Sequence, residues 1–253
     1  MLSGLTLWIS DMSKKKILIF TGAGVSAESG IKTFRDTKDG LWYEFKISEV
    51  ASIDGWRTNK SKVLDFYNLR RREMLKSVPN KAHEFIAKLE KDFDVTVVTQ
   101  NVDDLHERAG STNVIHLHGE LTKARSTFDD SIIVDCKGDI NIGDRCPEGS
   151  QLRPHIVWFG EMLDKGNLEA AKRAAESCDV CVIVGTSMLV SPANSIPFLT
   201  KDDSLIYYVD PGDFEMNLPG YRSAFFYHFK EVASTGMEKI YNELNQIYLN
   251  KTI

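Results

Sequence analysis

The chain has 253 residues, of which 42% are hydrophobic and 26% charged, and its formal net charge is −5 at pH 7. This size suits one large domain, or a main domain with a smaller one, and the acidic balance excludes the basic surface that drives binding to nucleic acid. No apolar stretch approaches the roughly 18 residues needed to span a bilayer, and the four cysteines form no secretory disulfide framework. We expect a cytoplasmic protein that binds neither nucleic acid nor a membrane, and we expect a monomer.

Short apolar runs rich in β-forming residues alternate with helix-like segments along the chain. The predicted strands are KILIFTG (16–22), DVTVVTQN (94–101), VIHLHG (114–119), CDVCVIVGTS (178–187) and SLIYYVD (204–210). The predicted helices are 62–77, 82–92, 167–177 and a C-terminal stretch near 231–247. Continuous apolar strands separated by helices indicate an α/β fold with a parallel sheet covered on both faces.

Two stretches interrupt this alternation. Residues 32–80 begin with a polar loop and continue into helices, whereas residues 121–156 are short, irregular and charged. Both look like insertions that build a smaller second lobe, which leaves 14–31, 81–120 and 157–253 for the main lobe. Ligands of parallel sheets bind beyond the carboxyl ends of the strands. The polar strand ends TGAG, TQN, HGE and GTS are therefore predicted to share one rim.

The first candidate motif is TGAGVSAESGIKTFRD, residues 21–36. Glycines after a strand let the backbone approach a phosphate, and the start of the next helix offers unpaired N–H groups to it. The spacing departs from G-x-G-x-x-G because position 27 is Ala, so a tight strand–helix turn remains the alternative. Phe34 and Arg35 strengthen the nucleotide hypothesis, since an aromatic ring and a guanidinium can cover and clamp a ligand.

The next two motifs carry amides, carboxylates and histidines. In TQNVDDLHERAG (99–110), Asn101 or Asp103 can simply cap the following helix, although such groups on this rim also suit ribose hydroxyls. In HLHGE (116–120), a strand would place both histidines on one face. A catalytic base, a structural pair and a metal site all remain open at this point. The metal hypothesis lacks further ligands, because no HExxH or nearby carboxylate pattern supplies them.

Two more segments complete the set. GTS (185–187) is a small-residue turn that lets a ligand lie against the backbone, and RPHIVWFGE (153–161) is either a core edge or a platform for a bound chain. The order GAGVSAESGI–FRD, TQNVDDLHERAG, HLHGE, VWFGE, GTS resembles the sirtuins, and most of all the bacterial-type deacylases of the class that includes succinyl-lysine removers. The resemblance runs from about residue 16 to about residue 245.

The resemblance implies a Rossmann-like NAD domain, a small lobe and an acylated-lysine protein substrate bound in the cleft between them. In the chemistry it implies, the acyl oxygen displaces nicotinamide from its ribose, and a ribose hydroxyl then loses a proton to a base. The products would be free lysine, nicotinamide and O-acyl-ADP-ribose. ADP-ribosyl transfer or NAD hydrolysis shares the first step and stays the enzymatic alternative, and a catalytically silent NAD-sensing module is a third hypothesis.

The resemblance also implies residue roles. His118 matches the general base, with Asn101 and Asp103 beside the nicotinamide, whereas His116 matches a position without a chemical role. We therefore expect substitution of His118 to abolish deacylation and His116 to tolerate change better. The implied cofactor-binding residues are Gly22, Ala23, Gly24, Glu28, Phe34, Arg35, Gln100, Gly185, Thr186, Ser187 and Asp210. The segment implied to pair with the substrate backbone is Val157, Trp158, Phe159, Gly160 and Glu161.

The predicted helix DFYNLRRRE carries Tyr67 and Arg70 three residues apart, and therefore on one face. Sirtuins that favour succinyl- and malonyl-lysine carry this Tyr-x-x-Arg pair in the acyl pocket. A hydroxyl and a guanidinium suit a carboxylate at the end of an acyl chain. An exposed basic helix is the alternative, since Arg71 and Arg72 follow. The pair predicts a desuccinylase and demalonylase ahead of a deacetylase.

Most sirtuins hold the small lobe with four cysteines on zinc, and this chain departs from that pattern. Ser126 stands where a cysteine of the first pair is expected, and the second region keeps only Cys146. Cys178 and Cys181 lie in a predicted apolar strand, where a spacing of three places them on opposite faces. We interpret them as buried structural thiols. The sequence therefore predicts no structural zinc and no other bound metal.

Overall fold

The structure is a computed structural model that describes residues 14–33, 45–213 and 225–249. Its strands are β1 (Lys16–Thr21), β2 (Asp94–Thr99), β3 (Val114–His116), β4 (Gly119–Ser126), β5 (Ile133–Asp135), β6 (Leu152–Ile156), β7 (Val180–Val184), β8 (Leu205–Val209) and β9 (Phe226–Phe229). Its α-helices are α1 (Ile47–Val50), α2 (Ile53–Thr58), α3 (Lys60–Lys76), α4 (Lys81–Leu89), α5 (Leu105–Ala109), α6 (Lys165–Ser177) and α7 (Ala233–Leu249), and two 3₁₀ helices cover Ala23–Ser29 and Ala193–Leu199. Within the described ranges, no helix is both long and apolar enough to cross a membrane.

Six strands form one parallel sheet in the order β3-β2-β1-β7-β8-β9. The central strands are apolar along their length because both faces are covered, and every residue of β7 is buried. One face packs on α4 and α7 through residues such as Ile86 and Met237. The other packs on α6 and the second 3₁₀ helix through residues such as Ala171 and Ile196. The predicted parallel sheet with helices on both faces is confirmed.

The strand order changes direction at β1. After β1 the chain builds β2 and β3 on one side, and it later returns to build β7, β8 and β9 on the other. The register aligns the ends of the three central strands, because Thr21 pairs with Thr99 on β2 and with Val184 on β7. The loops that follow these strands therefore leave the sheet side by side, which is where a parallel sheet binds its ligands.

A second sheet lies outside the parallel one. Strands β5, β4 and β6 form an antiparallel sheet in that order. A separate apolar cluster joins it to α1, α2 and α3 through residues such as Trp56, Phe66 and Trp158. We call this second sheet and these three helices the small lobe.

The antiparallel sheet corrects the prediction that residues 121–156 are irregular. Strand β4 contains Arg125 and strand β6 contains Arg153, which look unsuited to a buried strand. Both are buried because their guanidinium groups pair with the carboxylate of Glu161, at 3.1 and 2.6 Å. A reading of apolar runs misses strands whose charged residues are paired inside the structure.

Two local predictions about strands are wrong. The predicted strand 114–119 ends at His116, and His118 follows in a bend, so the two histidines do not share one face of a strand. Cys178 lies before β7, and it packs with Cys181 in the same apolar cluster rather than on the opposite face. Both thiols are buried, as predicted.

Candidate active site

A cavity of about 480 Å³ lies beyond the carboxyl ends of β1 and β2, with the small lobe forming part of its wall. Loops of the parallel sheet and side chains of the small lobe therefore face the same space. The predicted site residues that line it are Ala23, Tyr67, Arg70, Gln100, Asn101, Asp103, His118, Val157, Trp158, Phe159, Gly160 and Glu161.

His118 lies partly buried in the cavity wall, in the bend after β3. Its Nδ1 lies 2.9 Å from the carbonyl oxygen of Gln100. A carbonyl can only accept, so Nδ1 carries the hydrogen and Nε2 keeps a free lone pair in the neutral ring. Burial lowers the pKa of His118, although the Gln100 carbonyl opposes the shift. His118 is therefore neutral near pH 7 and able to accept a proton.

Asn101 and Asp103 are tied together by Ser26, which the sequence analysis did not single out. Ser26 Oγ donates to Asp103 Oδ2 and accepts from Asn101 Nδ2, each at 3.0 Å. Asp103 Oδ1 also accepts from the backbone N–H of Leu105 at 3.2 Å, at the start of α5. Burial raises the pKa of Asp103, and the hydrogen bonds from Leu105 and Ser26 oppose the shift. The three buried polar side chains are thus fixed in the cavity wall by one another.

His116 lies behind the loop that carries Asn101, and both of its ring nitrogens have partners. Nδ1 lies 3.1 Å from the Asn101 carbonyl oxygen, and Nε2 lies 2.7 Å from Glu107 Oε1. Burial would lower the pKa of His116, but the hydrogen bond and charge of Glu107 outweigh it and raise that pKa. A substitution at His116 would leave these two acceptors without their donor. Its predicted tolerance to change can therefore hold for the chemistry but not for the stability of the fold.

Gly22 and Gly24 let the loop after β1 contact the loop after β7. A Cβ atom on Gly24 would lie 2.7 Å from the Cα of Gly185, and one on Gly22 would lie 2.6 Å from the Cβ of Thr186. The N–H of Gly24 donates to the Gly185 carbonyl at 2.7 Å, and Gln100 Nε2 donates to Thr186 Oγ1 at 3.0 Å. The loops after β1, β2 and β7 are therefore one connected rim, and the glycines serve the tight approach between them.

Some predicted cofactor residues lie away from the cavity. Glu28 is exposed, and its carboxylate accepts from the backbone N–H and the hydroxyl of Ser234 at the start of α7, at 2.9 and 2.6 Å. The structure thus does not bring Glu28 to the cavity. Ser187 and Asp210 follow β7 and β8 on the same rim, outside the cavity lining. The predicted site residues that fall outside the described residues are Phe34 and Arg35.

Tyr67 and Arg70 both line the cavity from α3, as their spacing predicted. The Tyr67 hydroxyl is buried and accepts a hydrogen bond from Trp158 Nε1 at 3.0 Å. Burial raises the pKa of Tyr67 to about 12, so this hydroxyl keeps its hydrogen at neutral pH. The guanidinium carbon of Arg70 lies 5.7 Å from the centre of the Phe66 ring. A hydroxyl and a cation therefore stand together in one part of the cavity.

Part of the backbone of residues 157–161 already forms hydrogen bonds within the chain. The N–H of Val157 donates to the carbonyl of His118, and the N–H of Phe159 donates to the carbonyl of Ala51, each at 2.9 Å. The first bond ties this segment to the bend that carries His118, and the second ties it to the residue that follows α1. A substrate backbone pairing with this segment must therefore use its other polar groups or displace these bonds.

The segment that follows the GTS turn also belongs to the site, although no motif predicted it. Val190, Ser191 and Pro192 line the cavity, and the neighbouring Leu189 is 71% exposed. The available signal was the apolar run Met188-Leu189-Val190 directly after the GTS turn, but the predicted strand ended at 187. Ser26 gave no such signal, because its role depends on residues 75 and 77 positions away.

Among the described residues, no group of three or more His, Cys, Asp or Glu side chains is placed to hold a metal ion. Ser126, where the resemblance expects a cysteine, is buried, and its hydroxyl accepts from the N–H groups of Phe128 and Asp129 at 3.1 and 3.3 Å. Its side chain stabilises the turn after β4.

Known proteins are similar to this chain in sequence and in fold. The sequence profile of the Sir2 family matches residues 22–192. An NAD-dependent protein deacylase of Helicobacter pylori is 51% identical over 205 residues, which cover 81% of this chain and 88% of that protein. One of Aquifex aeolicus is 39% identical over 251 residues, covering 95% and 100%. The crystal structure of a Sir2 homolog–NAD complex is similar with a TM-score of 0.81 at 38% identity, covering 92% and 91%.

Proposed function

The chain belongs to the Sir2 family, and we propose that it is an NAD-dependent protein-lysine deacylase. The observation that carries the proposal is His118, whose Nδ1 is held by the Gln100 carbonyl while its ring lines the cavity that Asn101 and Asp103 share. A neutral histidine with its Nε2 lone pair available suits the removal of a proton from a hydroxyl.

The residues present fit NAD. The cavity is large enough for the nicotinamide half of a dinucleotide together with an acyl chain, and its wall offers amide, carboxyl and hydroxyl groups from Asn101, Asp103 and Ser26. When bound, NAD supplies the ribose carbon that takes the acyl oxygen as nicotinamide departs. Asn101 and Asp103 would hold the nicotinamide end, and the network through Ser26 would keep them oriented.

His118 takes the proton in the later step. Deacylation requires one ribose hydroxyl to become a nucleophile, and a histidine titrates in the right range for that work. Because the Gln100 carbonyl fixes the hydrogen on Nδ1, Nε2 is the atom that receives the proton. The imidazolium that results keeps its Nδ1 hydrogen bond to the Gln100 carbonyl, which favours the charged form of the ring.

For the acyl group, we propose that succinyl and malonyl are preferred over acetyl. In support, Tyr67 and Arg70 line the cavity together, and the Arg70 guanidinium interacts electrostatically with Tyr67. A carboxylate at the end of an acyl chain accepts from both groups, whereas an acetyl methyl group meets neither. The two following arginines differ: Arg71 is buried against the Leu121 carbonyl, and Arg72 pairs with an acidic side chain at the surface.

Turnover on matched peptides tests the activity. Peptides that differ only in acetyl-, succinyl- or malonyl-lysine are incubated with the protein and NAD, and the products are identified by mass spectrometry. Nicotinamide, the peptide with an unmodified lysine side chain, and O-acyl-ADP-ribose in equal amounts support deacylation. ADP-ribose without deacylated peptide would mean NAD hydrolysis, and ADP-ribose attached to protein would mean transfer; either would refute the proposal.

A substitution tests the acyl preference. Arg70→Met keeps an unbranched side chain about as long as the aliphatic part of arginine and removes the guanidinium charge, and Arg72→Met, outside the cavity lining, is the matched control. We expect Arg70→Met to lower kcat/KM for the succinyl peptide by about 10- to 100-fold, the worth of a hydrogen bond to a charged group, and to change deacetylation by less than about threefold. Equal loss of desuccinylation and deacetylation would show that Arg70 does not bind the carboxylate of the acyl group.

A further inference from the structure

Trp158 fixes the hydroxyl of Tyr67 in the acyl part of the cavity. The indole Nε1 donates to Tyr67 Oη at 3.0 Å, and both side chains are buried. A phenol oxygen has one hydrogen to donate and two lone pairs that accept. With one lone pair filled by Trp158, the hydrogen of Tyr67 is directed to another partner. Because burial raises the pKa of Tyr67 to about 12, that hydrogen is present at any ordinary assay pH.

Trp158 is itself held on three sides. The Arg153 guanidinium carbon lies 3.4 Å from the centre of the Trp158 ring, a cation–π contact. Glu161 accepts the Trp158 backbone N–H at 2.9 Å, and it pairs with Arg153 through both carboxylate oxygens, at 2.6 and 2.9 Å. The Trp56 ring packs 5.5 Å from the Trp158 ring, centre to centre. The indole therefore presents its N–H to Tyr67 from one fixed position.

We infer that Trp158 is a specificity-determining positioning residue, which makes Tyr67 a hydrogen-bond donor to an acidic acyl group. The inference rests on the proposed function, because it concerns the acyl preference of that site. A succinyl or malonyl carboxylate can only accept hydrogen bonds, so it needs the hydrogen of Tyr67 and is repelled by its lone pairs. A hydroxyl that is free to rotate would present either its hydrogen or a lone pair to the carboxylate. Trp158 removes that freedom through its hydrogen bond to Tyr67.

The test is Trp158→Phe, which keeps an aromatic ring and removes the N–H. We expect kcat/KM for the succinyl peptide to fall about 5- to 10-fold, mainly through KM, since one net hydrogen bond is worth a factor of that size. A loss that the acetyl peptide shares reports packing, so the readout is the succinyl-to-acetyl ratio of kcat/KM, which should fall by the same factor of about 5 to 10. Trp56→Phe is the matched control, because it trims a neighbouring indole by the same volume, keeps an aromatic ring against Trp158 and removes neither partner of the Trp158–Tyr67 hydrogen bond. It should leave the succinyl-to-acetyl ratio unchanged.

A double substitution separates orientation from packing. If Trp158 acts through the Tyr67 hydroxyl, then Trp158→Phe should alter the succinyl-to-acetyl ratio less than twofold in a Tyr67→Phe background. An equal drop in both backgrounds would overturn the inference, because the indole would then act through its bulk. If Trp158→Phe does not fold, a benzothienyl side chain at position 158 has the same shape without the N–H and should give the same drop in ratio; an unchanged ratio would overturn the inference.

The succinyl-to-acetyl ratio of the wild-type protein distinguishes failure of the proposed acyl preference from failure of the role of Trp158. A wild-type protein that shows no preference for the succinyl peptide refutes the proposed acyl preference, and the role of Trp158 with it. A wild-type protein that prefers the succinyl peptide, with a ratio that Trp158→Phe leaves unchanged, refutes the role of Trp158 alone.

Discussion

Replacing His118 with asparagine should separate the two halves of the proposed reaction. His118→Asn keeps a polar side chain and removes the group that accepts the proton. Its structural cost is one hydrogen bond to the Gln100 carbonyl, about 1 kcal/mol of unfolding free energy. The loss of a general base is larger, about 100- to 10,000-fold in rate, or roughly 3–5 kcal/mol of barrier. We therefore expect a folded protein with almost no deacylation.

The assay measures two steps in parallel. Deacylation is followed with a succinyl-lysine peptide, and the earlier step is followed by exchange of labelled nicotinamide into NAD. Because the proposed mechanism has His118 accept its proton after nicotinamide has departed, exchange should fall far less than deacylation. His155→Asn is the control, since His155 lies in β6 outside the cavity lining. Equal loss of exchange and deacylation in folded His118→Asn would refute the assignment of His118 to the later step.

The pH dependence gives a second check on His118. Burial lowers its pKa below the ordinary value of 6.5, so the neutral, basic form persists to lower pH. Activity should be constant as the pH falls towards 6.5 and should decline only below it, with one proton responsible. A decline in kcat/KM that begins well above pH 6.5 would contradict the buried, neutral histidine seen in the structure.

Three further predictions concern stability and metal content. Glu107→Gln breaks the pair with His116, and because the Glu107 side chain is 41% exposed, solvent screening limits the loss to about 1 kcal/mol. The pKa of His116 is raised in the folded protein, so the stability that its charge contributes is complete below pH 6.5 and is lost as the pH rises through the folded pKa. The pKa of Glu107 is lowered, so the stability that its charge contributes is present above pH 4.5 and is lost at lower pH. Urea unfolding should thus show the largest difference from wild type near pH 5.5 and a smaller one at pH 9; a constant difference would contradict the charged pair. Gly24→Ala places a Cβ 2.7 Å from the Gly185 Cα and should lower the free energy of unfolding by about 1–3 kcal/mol, measured by thermal unfolding. Gly138 has open space around it, so the control Gly138→Ala should change that free energy by no more than roughly 0.5 kcal/mol. Similar losses at both glycines would refute the contact between the loops. We also propose that the protein folds without zinc, so elemental analysis should find much less than one zinc per chain, and treatment with a chelator should leave the melting temperature unchanged.

The main sheet was predictable because its strands are buried on both faces. The runs KILIFT and VCVIV are almost wholly apolar, and every residue of β7 is buried. Once the strands are parallel, the loops at their carboxyl ends must converge, so the shared rim followed from sequence order alone. The strands of the small lobe were not predictable in this way, because Arg125 and Arg153 look exposed until Glu161 is known to pair with both.

Contacts within the site depend on packing that no local pattern reveals. The hydrogen bond between Ser26 and Asp103 joins residues 77 positions apart, and that between Trp158 and Tyr67 joins residues 91 apart. Each exists because the small lobe or a neighbouring loop packs against the parallel sheet. The residue types that carry chemistry could be chosen from sequence, but their protonation states and hydrogen-bond directions required the structure.

The spacing of the two histidines in HLHGE has a physical reason that a shared strand face would not give. His118 Nδ1 donates to the Gln100 carbonyl, and His116 Nδ1 pairs with the next carbonyl along the chain, that of Asn101. Two histidines two residues apart thus hold two consecutive carbonyls of one loop. The remaining nitrogen of His116 is taken by Glu107, which favours its charged form, whereas the remaining nitrogen of His118 is left for the cavity. The same residue type is therefore biased towards the charged form at His116 and towards the neutral form at His118, and the carboxylate of Glu107 accounts for the difference.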